Sequence, residues 1–455
     1  MIEQDIIQLQ EILKRVERME IKGISIDSRN VKAGELFVAI RGDRFDGHDF
    51  VPDAIKKGAW GALVERSALE SRSASLGVLK NIFAVTDTLV SLQEMSHLHR
   101  KKFSIPVVGI TGSNGKTTTK EMLASILKQK GPVLKNEGNL NNHIGVPLTL
   151  LKLLPEHTSA AIEMGMSALG EIDLLAHLAG PGVGVITNIG SAHLEFLGSM
   201  DAVAEAKGEL LGHLGPGGTA VLNADDHYFG TLKKKHSGRV LSFGIDAPAD
   251  VRAVSIHQEK DATACTFAAC GSTLQVRLRV VGRHNVANAL AAAAAGIAVG
   301  MSLDAVKQGL DDFRPSAMRS EIKRIEGRTV FVDCYNANPV SMEAALVTLM
   351  SLAMGGKAVA VLGDMLELGG SAVQAHRAIG AAAARLGVDL LITTGTLAKH
   401  IAAGAAASGL PGDRVREAGS HAEAAAMLKS LTRPGDTVLI KGSRGMKMEK
   451  VLEEF

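Results

Sequence analysis

The segment Gly112-Ser113-Asn114-Gly115-Lys116-Thr117-Thr118 follows the apolar run Val107 to Ile110 and opens a helical pattern from Lys116 to Lys130. Strand, glycine turn and helix in this order make a phosphate cradle. Backbone N–H groups converge on an anion, the helix end adds partial positive charge, Lys116 supplies a mobile cation, and the Thr117 hydroxyl can reach Mg²⁺. ATP or GTP is the expected ligand. The spacing is shorter than in the common P-loop, which has a glycine six residues before the lysine. That position is Ile110, so the pattern is GxxGKT. A glycine-rich turn before an ordinary helix would explain the glycines, but not the strand, the Gly-Lys pair and the threonine together.

The chain has 455 residues, which at roughly 150 residues per domain suits three domains, each able to bury a core. Fifty basic against 48 acidic residues leave a net charge of +2. That is no one-signed field for nucleic acid or an anionic membrane, and one Trp, two Tyr and twelve Phe offer few stacking platforms. Cys265, Cys270 and Cys334 make no CxxC pair and no even disulfide framework, so a reducing compartment is expected, with Cys265 and Cys270 inside a hairpin and Cys334 in a strand core. The start Met1-Ile2-Glu3-Gln4-Asp5 carries acids where a secretory signal carries bases. The longest apolar run, Ala289 to Met301, is mostly alanine and falls short of the ~20 residues of a membrane span. A cytoplasmic monomer without membrane insertion or nucleic acid is the expectation.

Three stretches follow. Residues 1–103 read as a small α/β unit, with strand candidates Gly23 to Ile26 and Leu36 to Ile40, and the basic segment His97 to Lys102 reads as a linker. Residues 104–314 alternate strands and helices as a mainly parallel sheet does, with candidates Ala160 to Met164, Gly182 to Thr187 and Thr219 to Leu222. Within them Asp250 to Val281 alternates every second residue and reads as antiparallel hairpins of an accessory sheet. Residues 315–455 read as a doubly wound, Rossmann-like α/β domain, with strand candidates Thr329 to Asp333, Ala358 to Leu362, Leu390 to Thr393 and Thr437 to Ile440.

Ligands of open parallel sheets bind beyond the carboxyl ends of the strands, and several polar residues fall there. Glu163 ends one strand and reads either as a Mg²⁺ ligand, direct or through water, or as a surface acid. His193, beyond the next strand, reads by itself as a structural histidine, since Mg²⁺ prefers oxygen. Lys207 alone reads as a solvated helix cation. Asn285 is suited to N-cap the helix from Val286 to Val299, and Arg283, His284 and Asn288 around it suit a ligand-contacting helix start. Asp333, Tyr335, Asn336 and Asn338 crowd a turn after a buried strand, where turn chemistry explains the asparagines and Pro339 but leaves Asp333 and Tyr335 for nucleotide contact. Lys441, Ser443 and Arg444, after the last strand, offer two cations and a backbone nest for a carboxylate or phosphate.

Taken together these motifs resemble the Mur ligase family of cytoplasmic peptidoglycan synthesis over essentially the whole chain. The resemblance runs from Asp27-Ser28-Arg29 and Asp46-Gly47-His48 through Thr111 to Thr118, Gly138-Asn139-Leu140-Asn141-Asn142, Glu163-Met164-Gly165, Ala192-His193-Leu194-Glu195 and Ala206-Lys207-Gly208-Glu209. It continues through Gly282-Arg283-His284-Asn285 and Tyr335-Asn336-Ala337-Asn338-Pro339 to Lys441-Gly442-Ser443-Arg444. The short GxxGKT loop is the family's own form. Tyr-Asn-Ala-Asn-Pro and Asn-Leu-Asn-Asn favour the branch that adds D-alanyl-D-alanine, and no Asp-Asn-Pro-Arg motif for diaminopimelate selection is present.

The resemblance implies ATP-dependent ligation of D-alanyl-D-alanine to UDP-N-acetylmuramoyl-tripeptide through an acyl phosphate. It implies that Thr111 to Thr118 hold ATP, Lys116 on the β/γ-phosphates and Thr117 on Mg²⁺, with Glu163 and His193 completing metal sites. It implies a carbamylated Lys207, adenine and ribose near His284, Asn285, Asn288, Asp333, Tyr335 and Asn338, and Arg319 on the γ-phosphate. The uridine end would lie around Ser28, Arg29, Asp46, Gly47 and His48, with Asn139, Asn141, Asn142, Lys441, Ser443 and Arg444 as further substrate-binding residues. Closure of the third domain on the second, with hinges near Ser104 and Pro315, would exclude water. Another Mur-type or folylpolyglutamate-type ligase and a P-loop switch ATPase are the competing readings.

Overall fold

The computed structural model describes residues 3–190 and 194–455. Among them three sheets form, each from its own stretch of chain. The first is parallel, in the spatial order β1 (Gly23–Ser25), β2 (Glu35–Val38), β3 (Gly61–Glu65) and β4 (Ile82–Val85). Alternate strand residues serve opposite faces. Leu36, Val38 and Leu63 meet Leu9, Ile12 and Leu92 of the helices Glu3–Glu17 and Thr88–Arg100, whereas Phe37, Ala62 and Val64 pack on the other side.

The second sheet has nine strands. β5 (Val107–Thr111) lies between β7 (Ser159–Glu163) and β8 (Val183–Ile186), with β6 (Val133–Lys135) beyond β7. From β8 the sheet continues through β9 (Thr219–Asn223), β10 (Arg239–Gly244), β11 (Val251–Gln258), β12 (Thr263–Ala269) and β13 (Ser272–Leu278). Strand order therefore reverses direction at β5, and the turn that follows β5 opens at a topological switch point. The segment expected as an accessory sheet belongs to this one: β10 and β11 pair in parallel through Phe243 and Val251, and only β11 to β13 are antiparallel. The reason is burial, since Val251, Cys265, Phe267, Val276 and Leu278 share one core with the alanine-rich helix Arg283–Ala298. Burial lifts the Cys265 thiol to about 12. Cys270 departs from expectation; it sits exposed at the hairpin tip with φ of 54°.

The third sheet runs β14 (Glu321–Ile325), β15 (Arg328–Val332), β19 (Thr437–Lys441), β16 (Ala358–Gly363), β17 (Leu390–Thr394) and β18 (Val415–Ala418). All pairs are parallel except the edge hairpin of β14 and β15. Ala358, Ala360 and Leu362 face one layer of helices, and Val359 and Val361 face the other, so the strand is apolar throughout because both of its faces are covered.

The basic segment expected as a linker is mostly helix. His97, His99 and Arg100 end the helix Thr88–Arg100, and Arg100 donates to the carbonyls of Ala179 (2.9 Å), Phe103 (2.6 Å) and Ile105 (3.4 Å) while His99 Nε2 lies 3.0 Å from the Leu153 carbonyl. The first domain is thereby clamped to the second directly before Ser104, which opposes a hinge there. Arg100→Ala leaves these acceptors without their donor, and a loss of about 2–4 kcal/mol is expected in urea unfolding; an unchanged unfolding midpoint would show the clamp to be idle.

Candidate active site

Two glycines set the shape of the turn after β5. Gly112 (φ 145°) leaves no room for a methyl beside the Thr187 hydroxyl, and Gly115 (φ 81°) none beside Asn288 Oδ1. The loop after β8 grips the turn from the side. Ser113 N donates to the Asn188 carbonyl (2.9 Å), Asn114 N to Asn188 Oδ1 (3.0 Å), and the Thr187 hydroxyl to the Asn114 carbonyl (2.6 Å). Ser113 Oγ exchanges hydrogen bonds with Gly190 N and O at 2.8 and 3.0 Å. The N–H groups of Ser113 and Asn114 are therefore engaged within the protein. No side chain caps the following helix, Lys116–Leu127, whose first turn leaves the donors of Lys116, Thr117 and Thr118 for an anion. Thr111 is buried at the strand end.

Beyond the turn lies a cleft of about 790 Å³ between the second and third domains. Ser113 to Thr118 form one wall and the Asn139, Asn141 and Asn142 loop another. His284, Asn285 and Asn288 line it from the alanine-rich helix, and Arg319, Asp333, Tyr335, Asn338, Lys441, Ser443 and Arg444 from the third domain. Asn338 caps the helix Pro339–Leu352 with a capping box and donates through Nδ2 to Asn114 Oδ1 at 2.7 Å, joining the two domains at the phosphate turn.

Lys116 Nζ folds back onto the Gly112 carbonyl (2.7 Å). Burial depresses its pKa, with Glu163 opposing and Arg319 adding to the shift. Glu163 is 3 % exposed, so it is no surface acid. Ile110 of β5 pairs in register with it, which places the carboxylate beside the phosphate turn. Its Oε1 accepts from Asn141 Nδ2 at 2.8 Å, while Oε2 is buried with no hydrogen-bond donor. An orphaned carboxylate oxygen lining the same cleft as Thr117 of the phosphate turn fits Mg²⁺, which takes oxygen ligands.

Lys207 reverses its reading as a solvated cation. It is 1 % exposed inside the helix Met200–Gly212. Among the described residues it has no hydrogen-bond or ion-pair partner. Burial, then the charge of Lys116, holds its pKa well below the ordinary lysine value. His193 lies outside the described residues; the loop before it is anchored where Ile189 N donates to Asp226 Oδ2 at 2.7 Å.

Asn285 is not the helix N-cap. The helix begins at Arg283 after Gly282, and Asn285 Nδ2 returns to the Val281 carbonyl (2.8 Å) while its Oδ1 accepts from Asn288 Nδ2 (3.2 Å). Arg283 turns outward to Asp246. His284 stands 3.4 Å from Ser320 Oγ, its pKa lowered by burial against the pull of Asp333. Burial would raise the Asp333 carboxyl, but the charge and hydrogen bond of Lys441 (2.5 Å) and the Ser320 N–H hold it below its ordinary value. Lys441 also donates to the Asp333 and Asn336 carbonyls, so it is not the free cation the sequence suggested. Ser443 is likewise engaged, accepting from Leu366 N at 2.9 Å. Arg444, half-exposed and paired with Glu449, remains closer to solvent. The Arg319 guanidinium lies 3.7 Å over the Tyr335 ring.

Ser28, Arg29, Asp46, Gly47 and His48 do not line this cleft. Asp27 engages the exposed Arg29 at 2.8 Å, and the Ser28 carbonyl accepts from Lys57. His48 is fully buried: Nδ1 is 2.6 Å from Asp46 Oδ1 and Nε2 accepts from Glu65 N, so its ring secures the short helix Gly47–Phe50 and has no nitrogen left for a ligand. Three structural partners escaped the sequence reading: Asn188, Asn136 and Lys120. Only Lys120 carried a signal, lying one helical turn after Lys116.

Family models match three stretches: the Mur ligase family catalytic domain at residues 20–100, the Mur ligase middle domain at 110–296, and the Mur ligase glutamate ligase domain at 318–444. The chain belongs to the Mur ligase family. It is 37 % identical over 441 residues to the UDP-N-acetylmuramoyl-tripeptide–D-alanyl-D-alanine ligase of Bacillus subtilis, covering 96 % of this chain and 94 % of that one. The Escherichia coli ligase of the same description is 38 % identical over 95 % and 93 % of the two chains. MurF from Acinetobacter baumannii superposes with a TM-score of 0.87 at 34 % identity, covering 95 % and 93 %. The Thermotoga maritima MurF ligase in complex with ADP gives 0.85 at 29 % identity over 96 % and 97 %.

The buried lysine of this Mur ligase leaves a signature in stability. Between its depressed native pKa and the ordinary 10.5, the unfolded chain holds a proton on Lys207 that the native protein does not. Stability from this group therefore rises with pH across that window and is lost as pH falls through it. In CO₂-free buffer, Lys207→Met is expected to flatten the rise in melting temperature between pH 7 and pH 9.5; an unchanged slope would show that the ammonium is accommodated in the native site.

Proposed function

We propose that this Mur ligase joins D-alanyl-D-alanine to UDP-N-acetylmuramoyl-tripeptide with ATP, acting as a cytoplasmic monomer with domains 1–103, 104–314 and 315–455. The observation that carries this reading is the grouping of Lys116, the orphaned Glu163 oxygen and unpaired Lys207 beneath one phosphate turn. A switch ATPase has no need of a second buried, unpaired lysine there. The near-full-length likeness to D-alanyl-D-alanine ligases supports the substrate pair, and no described helix is long and apolar enough to cross a membrane.

In this mechanism the uncapped helix start and Lys116 bind the β- and γ-phosphates, and Arg319 leaves the Tyr335 face to meet the γ-phosphate. Asp333, His284 and Asn288 orient the nucleoside. A carboxylate is a poor electrophile; phosphorylation of the tripeptide terminus by ATP makes phosphate the leaving group. The amine of D-alanyl-D-alanine then attacks the acyl carbon, the C–N bond forms, and the C–O bond to phosphate breaks. Lys116 and Arg319 stabilise the charge on the transferring group. Thr117, Glu163, His193 and carbamylated Lys207 would hold Mg²⁺, which would supply further charge neutralisation when bound. The environment of Lys207 supports carbamylation: burial favours the neutral amine, which can add CO₂ and lose a proton to become an anionic oxygen donor. The third domain excludes water from the acyl phosphate by its contact with the phosphate turn.

Phosphate release should require both the tripeptide nucleotide and D-alanyl-D-alanine, with the pentapeptide product found by mass; release indifferent to either substrate would leave only an ATPase. Lys116→Met is expected to lower kcat/KM for ATP about 10²–10³-fold. Retained activity in that variant would remove the phosphate turn from the mechanism.

A further inference from the structure

Lys120 is an ammonium buried to 1 % exposure that no step above uses. It lies one helical turn beyond Lys116, but Lys116 lines the cleft whereas Lys120 points beneath the end of β7. Its Nζ donates to the Asn136 carbonyl at 2.8 Å and lies 3.3 Å from Glu121 Oε1. It stops 3.6 Å from Glu163 Oε2, inside ion-pair range but beyond a hydrogen bond.

Asn136 completes the cradle. Its Oδ1 accepts from Glu163 N (2.6 Å), and its Nδ2 donates to the carbonyls of Glu163 (3.2 Å) and Leu140 (2.7 Å). Backbone and side chain of Glu163 are thus both fixed from behind, and Asn141 takes Oε1. The outcome is a buried carboxylate whose charge is balanced while one oxygen keeps its lone pairs unused. An ordinary structural ion pair would close the remaining gap and satisfy that oxygen. Asn136 and Glu121 hold the ammonium back instead.

We infer that Lys120 is a positioning residue, a built-in counter-charge that keeps Glu163 aligned and its Oε2 free for the divalent cation of the ligase reaction. The inference rests on the reading of Glu163 as a metal ligand. Lys120 acts through that carboxylate and touches neither nucleotide nor peptide.

A stability cycle and a metal titration on the full-length protein test it. Lys120→Met should lower the melting temperature of the unchanged chain by several degrees, because it strands a buried carboxylate. In a Glu163→Gln background the same change should cost less than half as much, because no charge is left to balance. A purely structural lysine, held for its bonds to Asn136 and Glu121, would cost the same in both backgrounds, and that result overturns the inference. Mn²⁺ titration in the presence of ATP, read by electron paramagnetic resonance of the free ion, should show at least tenfold weaker binding for Lys120→Met and a change within threefold for Lys120→Arg. Wild-type Mn²⁺ affinity in Lys120→Met also overturns it. Failure of the unchanged protein to bind Mn²⁺ would instead strike the metal reading itself, whatever the stability cycle gives.

Discussion

The parallel register of β5 against its two neighbours holds the site together. Ile110 lies opposite Glu163 on one side and Val185 on the other, so the phosphate turn, the carboxylate and the Thr187-to-Gly190 loop leave the sheet at one level. Residues some fifty and seventy-five positions apart in the chain thereby meet within hydrogen-bonding distance. A shift of β7 by a single residue would turn Glu163 to the opposite face of the sheet. The apolar alternation of Ala160, Ala161 and Ile162 between two cores opposes that slip.

Beneath the turn one lysine, Lys116, is left without a carboxylate in ion-pair contact among the described residues. Lys120 balances Glu163 from behind, whereas Lys116 folds onto a backbone carbonyl with its proton affinity depressed by burial, and Lys207 is held well below the ordinary lysine value. A polyanion entering the cleft therefore meets a site already short of negative charge, and binding it offsets a cost present in the empty protein.

Much of this was legible in the sequence because it rests on local chemistry. The GxxGKT turn, the strand-end position of Glu163 and the apolar strands of the third domain follow from short-range pattern, and the structure places them within a residue or two. What was not legible depends on contacts between distant segments. Lys207 reads as a surface cation because nothing in Ala206-Lys207-Gly208 reports that its helix packs beneath β5 and β8. Lys441 reads as a ligand because it is a cation after a strand end, and His48 because its loop resembles the family's; only tertiary partners show which of their donors and acceptors are engaged. Asn285 looked like a cap because an asparagine before an apolar helix usually is one, whereas here the helix starts earlier. The helix Met200–Gly212 and the loops at Asp27 to Arg29 and Asp46 to His48 show the same division: element and composition are written locally, the direction of a side chain is not.

The alanine-rich helix Arg283–Ala298 has a mechanical consequence. Ala289 to Ala295 are all fully buried, and the helix lies against both the sheet and the helix Lys116–Leu127. Small side chains on every side make it a spacer of fixed thickness rather than an adaptable packing element. Its first turns carry Asn285 and Asn288, and the latter rests against Gly115. An added methylene along the alanine run has no flexible neighbour to absorb it, so the displacement passes along the rigid helix to the phosphate turn. The geometry of nucleotide capture is in that sense gauged by a row of methyl groups that never meet the nucleotide.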